Sequence, residues 1–195
     1  MLALKGVHTY YGPSHVLHDV NLQLNKGEAV SLIGRNGAGK TTLMRTIMQL
    51  TPPAQGSVMC GDVALNGLKP HTVYKMGVKL VPQGRQVFPK LTVEENLRLA
   101  LIGQKAVDWK AELERAYGLF PALGVRRHQK VRGLSGGERQ MLAIARALLG
   151  PTTVVLMDEP TEGLAPIVVR ELRDFLLDLK KTGLAILLAE QNVKM

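Results

Sequence analysis

Cysteine is nearly absent from this chain. Cys60 is the only one in 195 residues, which excludes an intrachain disulfide and points to a reducing compartment. Aromatic residues are scarce, at 4% with a single Trp. The densest basic run, "VRRHQKVR" at 125–132, therefore has no aromatics interleaved for base stacking. It reads as a solvated face, even in a protein of net charge +9. Long apolar runs are missing too. "TTVVLM" and "LAILLA" fall far short of the roughly 20 residues that span a bilayer, so a membrane link has to come through a partner. The N-terminus lacks a basic start followed by a long apolar stretch, and no signal peptide is read there. His8, His15, His18, His71 and His128 show no metal-ligand spacing and read as surface or packing residues. No internal repeat or low-complexity linker divides the chain.

What is present is enough apolar residue for a core. The chain is 46% hydrophobic and 21% charged, which fits one globular domain, or one core with a modest insert. The first thirty residues alternate apolar and polar, as in "VNLQL" (Val20, Leu22, Leu24), which predicts half-buried antiparallel strand. "EAVSLI" at 28–33 is a nearly continuous apolar run ending at Gly34, and it predicts a strand buried on both faces. After the glycines, Leu43, Ile47 and Leu50 fall at helical spacing until "TPP" blocks continuation. Turns are predicted over 61–70, then a short strand in "VKLVP".

Between 85 and 132 the character changes to amphipathic helix. "LTVEENLRLALIG" opens with Thr92 and has Glu95 three residues on, a capping-box pattern; "DWKAELERAYGLF" follows, with Trp109 packed inside this helical insert. "ERQMLAIARALLG" is a helix stopped by Gly150 and Pro151, and "TTVVLMDEP" a buried strand ending in two acids. In "PIVVRELRDFLLDLKKTG", Val168, Leu172, Phe175, Leu176 and Leu179 share one face, with Lys180 and Lys181 in the last turn. "LAILLA" is a final buried strand. Strands alternating with helices predict an α/β fold with a mostly parallel sheet and a ligand at its carboxyl edge.

Two glycine-rich stretches carry chemistry. "GRNGAGKTT" at 34–42 fits the phosphate-loop pattern, with Gly34, Gly39, Lys40 and Thr41 at the fixed positions. Backbone N–H groups turn inward only where side chains are small, as at Gly37, Ala38 and Gly39, and the following helix offers its positive end. Asn36 and Thr42 complete the nucleotide-contacting set. Lys40 supplies a charge for the outer phosphates, and the Thr41 hydroxyl suits Mg²⁺. A plain glycine turn is the competing reading, opposed by Lys40 and Thr41 together. Asp158 is placed to hold Mg²⁺ and Glu159 to polarise a water; alone, they would read equally as a cap for the next helix. The second stretch, "LSGGERQ" at 134–140, opens a helix with Ser135, Gly136 and Gly137 and forms another N-terminal anion site. One nucleotide needs one cradle.

"LSGGERQ" resembles the signature of the ATP-binding cassette (ABC) ATPases, and the chain from Leu2 onward is similar to that family in order. The resemblance implies a phosphate-loop NTPase core with an N-terminal antiparallel β subdomain and an inserted helical subdomain. In one ABC ATPase domain over 1–195, residues 1–84 and 151–195 would be the nucleotide-binding core and 85–150 the helical part with the signature. It implies ATP and Mg²⁺ as ligands, with Thr41, Gln83 and Asp158 toward the metal. It implies a head-to-tail dimer with an identical or paralogous ATPase subunit, where Ser135, Gly136 and Gly137 of one close on the terminal phosphate held by the other. Tyr11 falls where the family places an aromatic that stacks on adenine, with Tyr10 as the alternative. Gln83, in "VPQGR", matches a glutamine that contacts Mg²⁺ and the attacking water and lies beside the groove where a membrane subunit docks. Cys60 reads as inert.

Two positions depart from the general pattern: Ala165 replaces an aspartate, in "TEGLAP", and Gln191 replaces a switch histidine, in "AEQN". Both, with "VPQGRQVFPKLTVEENL", resemble ATP-binding subunits of branched-chain amino acid importers. Glu159, Gln83 and Gln191 are then the catalytic set. The implied function is ATP hydrolysis that energises uptake of branched-chain or other hydrophobic amino acids through a separate permease. The implied place is the cytoplasmic face of the inner membrane, with an extracytoplasmic substrate-binding protein as indirect partner and no nucleic acid. A urea or amide importer subunit shares much of the same stretch. A soluble ABC ATPase acting on nucleic acid or ribosomes is the rival from another class, which carries tandem cassettes or a long coiled-coil insert. Family members continue past the position of Met195, so the chain reads as C-terminally truncated.

Overall fold

A computed structural model describes residues 2–104 and 107–191. In chain order they form β1 (Leu2–Tyr11), β2 (Ser14–Leu24), β3 (Ala29–Ile33), α1 (Lys40–Ile47), β4 (Gln55–Cys60), β5 (Val63–Ala64), α2 (Pro70–Lys75) and β6 (Val78–Val81). Then come α3 (Val93–Leu101), α4 (Trp109–Leu119), α5 (Pro121–Val125), a 3-10 turn at Val131–Gly133, α6 (Gly136–Leu148), β7 (Val154–Asp158), α7 (Pro166–Lys181) and β8 (Ala185–Glu190).

The alternation at the N-terminus folds as expected. β1 and β2 pair antiparallel with Leu2 opposite Leu24 and Leu4 opposite Leu22, and the inward residues Leu2, Leu4, Val7 and Leu24 are buried. β4 and β5 extend this sheet in the order β2-β1-β4-β5. The second sheet has the order β3-β8-β7-β6 with every pair parallel. Every residue of β7 and β8 is buried. Because side chains alternate across a strand, these two strands divide the interior. Val154, Leu156 and Leu187 face one core with Leu43, Met44 and Ile47 of α1. Val155, Met157, Ile186 and Leu188 face another with Leu97 of α3, Leu142 of α6 and Leu172 of α7. Each such buried aliphatic side chain contributes about 1.5–3 kcal/mol, so both faces hold the sheet.

Three local expectations need correction. β3 is not buried on both faces. It is the edge strand beside β8; Val30 and Leu32 are half-buried, while Ala29, Ser31 and Ile33 are exposed, Ile33 at 52%. A continuous apolar run cannot tell which face is covered. α1 stops at Ile47, before "TPP", because Gln49 turns into the left-handed region (φ 57), and Leu50 lies exposed beyond it. The short strand β5 falls within the stretch predicted as turns, and β4 and α2, with Pro70 at its first position, stand where the sequence predicts no element.

The helical stretch matches more closely. Thr92 caps α3, accepting from Glu95 N while Glu95 reaches back to Thr92 N at 2.7 Å. The apolar face of α7 packs inward, with Phe175 against Phe120 at 4.7 Å, and Trp109 packs partly buried against the same core. Cys60 is half-buried, and burial pushes its thiol up. Among the described residues, no helix is long and apolar enough to cross a membrane.

Candidate nucleotide-binding and hydrolysis site

The carboxyl ends of β3, β7 and β8 meet at one edge of the parallel sheet. The Gly34 N–H, just past β3, donates to the Glu190 carbonyl at the end of β8 (3.2 Å). The loop then climbs into α1 through Gly39, whose φ of 91° belongs to glycine and where a Cβ would meet Leu17 at 3.0 Å. α3, α4 and α6 each carry a side-chain cap, but α1 has none. α2, α5 and α7 lack one as well, so what sets α1 apart is the glycine loop that leads into its uncapped N-terminus, an arrangement suited to an anion.

Three residues singled out in the sequence converge on the carboxylate of a fourth, Glu159. Lys40 is 8% exposed; its Nζ donates to the Gly34 and Arg35 carbonyls (2.7 and 3.2 Å) and pairs with Glu159 Oε1 at 3.3 Å. Glu159 Oε2 accepts from Gln191 Nε2 at 2.7 Å and from Gln83 Nε2 at 3.3 Å. Gln83 Nε2 also donates to Glu162 (3.0 Å). Asp158 is buried, and its Oδ1 has no hydrogen-bond partner among the described residues. Burial holds its carboxyl above the ordinary range, helped by Glu159 and Glu162 and opposed by the Thr41 hydroxyl and Lys40.

A cleft of about 360 Å³ lies over these groups, lined by Tyr11, Val16, Asn36, Gly37, Gly39, Lys40, Thr41, Thr42, Gln83 and Glu159. Gly34 and Ala38 lie behind it in the loop, where a Cβ on Gly34 would meet Ala38 at 3.3 Å. Of the two tyrosines, Tyr11 lines the cleft, with its hydroxyl 3.4 Å from Thr51; Tyr10 stacks on His15 at 4.1 Å instead. His15 in turn lies against His18 (3.6 Å) and His8 (5.2 Å), a grouping that sequence spacing did not reveal. Among the described residues, no three His, Cys, Asp or Glu side chains are arranged to hold a metal ion by themselves.

Ser135, Gly136 and Gly137 are not in this cleft. Ser135 and Gly137 line a separate apolar cavity of about 390 Å³, with Phe120, Met141, Val168 and Phe175 among its walls. Ser135 caps α6 in a reciprocal box with Glu138. A Cβ on Gly137 would meet Val168 at 3.1 Å, so packing within the chain gives one of the paired glycines a reason of its own. Ala165 heads α7 without a side-chain cap. Sequence reading missed Glu190, whose buried carboxylate accepts from Thr161, and Glu162, which shares Gln83.

A parallel sheet that ends one strand in a phosphate loop and another in paired acids is the mark of phosphate-loop ATPases. Within that class the chain belongs to the ABC transporter family, whose family model matches residues 17–162. It is 42% identical to the high-affinity branched-chain amino acid transport ATP-binding protein BraG of Pseudomonas aeruginosa, over 98% of this chain and 82% of that protein. It is 38% identical to a probable branched-chain amino acid transport ATP-binding protein, LivF of Archaeoglobus fulgidus, over 100% of this chain and 83% of the relative. Its fold is similar to the dimeric post-hydrolysis ATP-binding cassette MJ0796 bound to ADP and Pi: TM-score 0.87, 27% identity, 99% of this chain and 89% of that one. The chain is an ATPase of the transporter class.

Proposed function

We propose that the chain is the ATP-hydrolysing subunit of an importer that takes up branched-chain or other hydrophobic amino acids through a separate permease. One observation carries the chemistry: Lys40, Gln83 and Gln191 converge on the Glu159 carboxylate beside an uncapped helix end. On this reading, the phosphates of ATP draw Lys40 away from Glu159, because they present more negative charge than one carboxylate. The freed Glu159 then accepts a proton from the attacking water. Gln191 and Gln83 both donate and accept hydrogen bonds without titrating near neutrality, so they orient the water or terminal phosphate and exchange no proton. Tyr11 offers its ring to adenine.

Thr41, Gln83 and Asp158 fit a Mg²⁺ ion: all three are hard oxygen donors, and the partnerless Asp158 Oδ1 is a buried anionic one. Bound there, the metal would neutralise charge on the outer phosphates. Ser135, Gly136 and Gly137 sit away from their own chain's cleft, which supports their serving a second ATPase subunit, head to tail. We read residues 85–150 as a helical subdomain set into a nucleotide-binding core of 1–84 and 151–195. The identities to BraG and LivF, with "GLAP" and Gln191, support the amino acid as cargo. Attachment through the permease would place the chain on the cytoplasmic face of the inner membrane, with an extracytoplasmic binding protein delivering the solute.

The test is to isolate the native complex on a tag carried by this chain, identify its membrane subunits and reconstitute it in vesicles. ATP-driven uptake of leucine is expected with wild type and none with Glu159→Gln. A complex that carries another solute and not leucine would sink the assignment of cargo.

A further inference from the structure

We propose that Glu190 is a positioning residue for ATP hydrolysis, its carboxylate clamping the turn at Thr161 so that Glu159 faces the nucleotide. This rests on the reading of Glu159 as general base.

Glu159 needs a clamp. Its backbone lies at φ 49, in the left-handed region that non-glycine residues seldom occupy. Such a conformation persists only where the surroundings over-determine it. The restraints come from the last residues of β8. The Glu159 N–H donates to the Ala189 carbonyl at 2.9 Å. Two residues beyond Glu159, both the N–H and the hydroxyl of Thr161 donate to Glu190 Oε1, at 3.2 and 2.8 Å. The Glu162 N–H closes the same turn onto the Glu159 carbonyl at 3.2 Å. The next residue after Glu190, Gln191, holds the tip of the Glu159 side chain. The Glu190 carbonyl meanwhile takes the Gly34 N–H at the mouth of the phosphate loop. One end of β8 thus ties together the loop, the acid turn and the orienting glutamine.

An acid at this place is not what packing alone would select. Glu190 is 7% exposed, and Glu159 is among the charges acting on it. A glutamine would fill the same volume without repulsion between carboxylates. What the carboxylate adds is a charge-assisted acceptor, roughly twice as strong as a neutral one, taken up by both donors of Thr161. The energy goes into holding a turn, and the turn carries the base.

The experiment compares Glu190→Ala, Glu190→Gln, Thr161→Val and Thr161→Ser in the full chain, below the melting temperature of each. It reads kcat for Mg-ATP and, separately, affinity for a fluorescent ATP analogue. Glu190→Ala and Thr161→Val are expected to lower kcat about ten- to hundredfold, the scale of a misplaced reacting group, with affinity unchanged. Thr161→Ser should recover most of the rate and Glu190→Gln part of it. The double variant Glu190→Ala/Thr161→Val should be no slower than Glu190→Ala alone, since both remove one interaction. Wild-type kcat in Glu190→Ala, or losses that multiply in the double variant, would overturn the clamp. If Glu190→Ala does not fold, wild-type kcat in Thr161→Val overturns it equally. Glu159→Gln is run alongside: full activity there sinks the reading of the base, whereas an inactive Glu159→Gln beside a fully active Glu190→Ala sinks only the clamp.

Discussion

At Asp158 the requirements of folding and of chemistry oppose each other. Its buried carboxyl has an oxygen without a hydrogen-bond partner among the described residues, and burial raises its folded-state pKa. An acid whose folded pKa is raised destabilises the fold when ionised, above that pKa; stability is regained as pH falls through it toward the unfolded value of about 3.9. Glu190 is raised in the same direction, chiefly by burial. Asp158→Asn in the nucleotide-free protein should therefore melt higher at pH 7, by about 2–4 °C for a gain near 1 kcal/mol. The gap should close as pH falls toward 4, and Mg-dependent nucleotide binding should be lost. Thermal melts across that pH range check it, and identical curves would show that Asp158 carries no such strain. The sequence made Asp158 and Glu159 legible because a strand ending in two acids beside a phosphate loop is a local signal. Glu190 was not legible: its partner Thr161 lies 29 residues away and only the β7–β8 pairing brings them together.

Helix α3 shows how much a local signal can carry. Thr92 and Glu95 satisfy two backbone donors reciprocally, and both bonds were foreseeable from four residues of sequence. Thr92→Ala should cost about 1 kcal/mol and lower the melting temperature by about 2–4 °C, while Thr92→Ser keeps most of the stability. Nucleotide affinity should not change, since α3 contributes nothing to the cleft. A melting temperature unmoved by Thr92→Ala would mean that tertiary packing alone holds the start of the helix. β4 was hidden for the opposite reason. Only Val58 in it is fully buried, and the strand exists because β1 offers it a ladder with Leu4 opposite Val58. Its cause lies on another strand. β3 is legible as strand but its surroundings are not, since apolar content speaks to propensity and not to sheet order.

For the molecule as a whole, the decisive question is whether its second glycine stretch serves its own nucleotide. Ser135 and Gly137 line a cavity apart from the phosphate-loop cleft, so lesions in the two should complement by chain. A dimer with Ser135→Arg on one subunit and Lys40→Ala on the other should keep one working site and hydrolyse ATP. A dimer with both lesions on one subunit and a wild-type partner should have none. If each lesion disabled only its own subunit, the two results would be exchanged, so differently tagged mixed dimers decide it.

The alternation along β7 bears on motion. Neighbouring residues Val154 and Val155 belong to different cores, and so do Leu156 and Met157. The strand is thus a common datum, like a survey line from which two plots are measured. If the helices on one face shift against the α1 side on the other, each displacement is referred to the same line. Asp158 and Glu159 stand at its end. Under such a shift the acids would keep their coordinates relative to the phosphate loop, and the geometry at the sheet edge would stay in register.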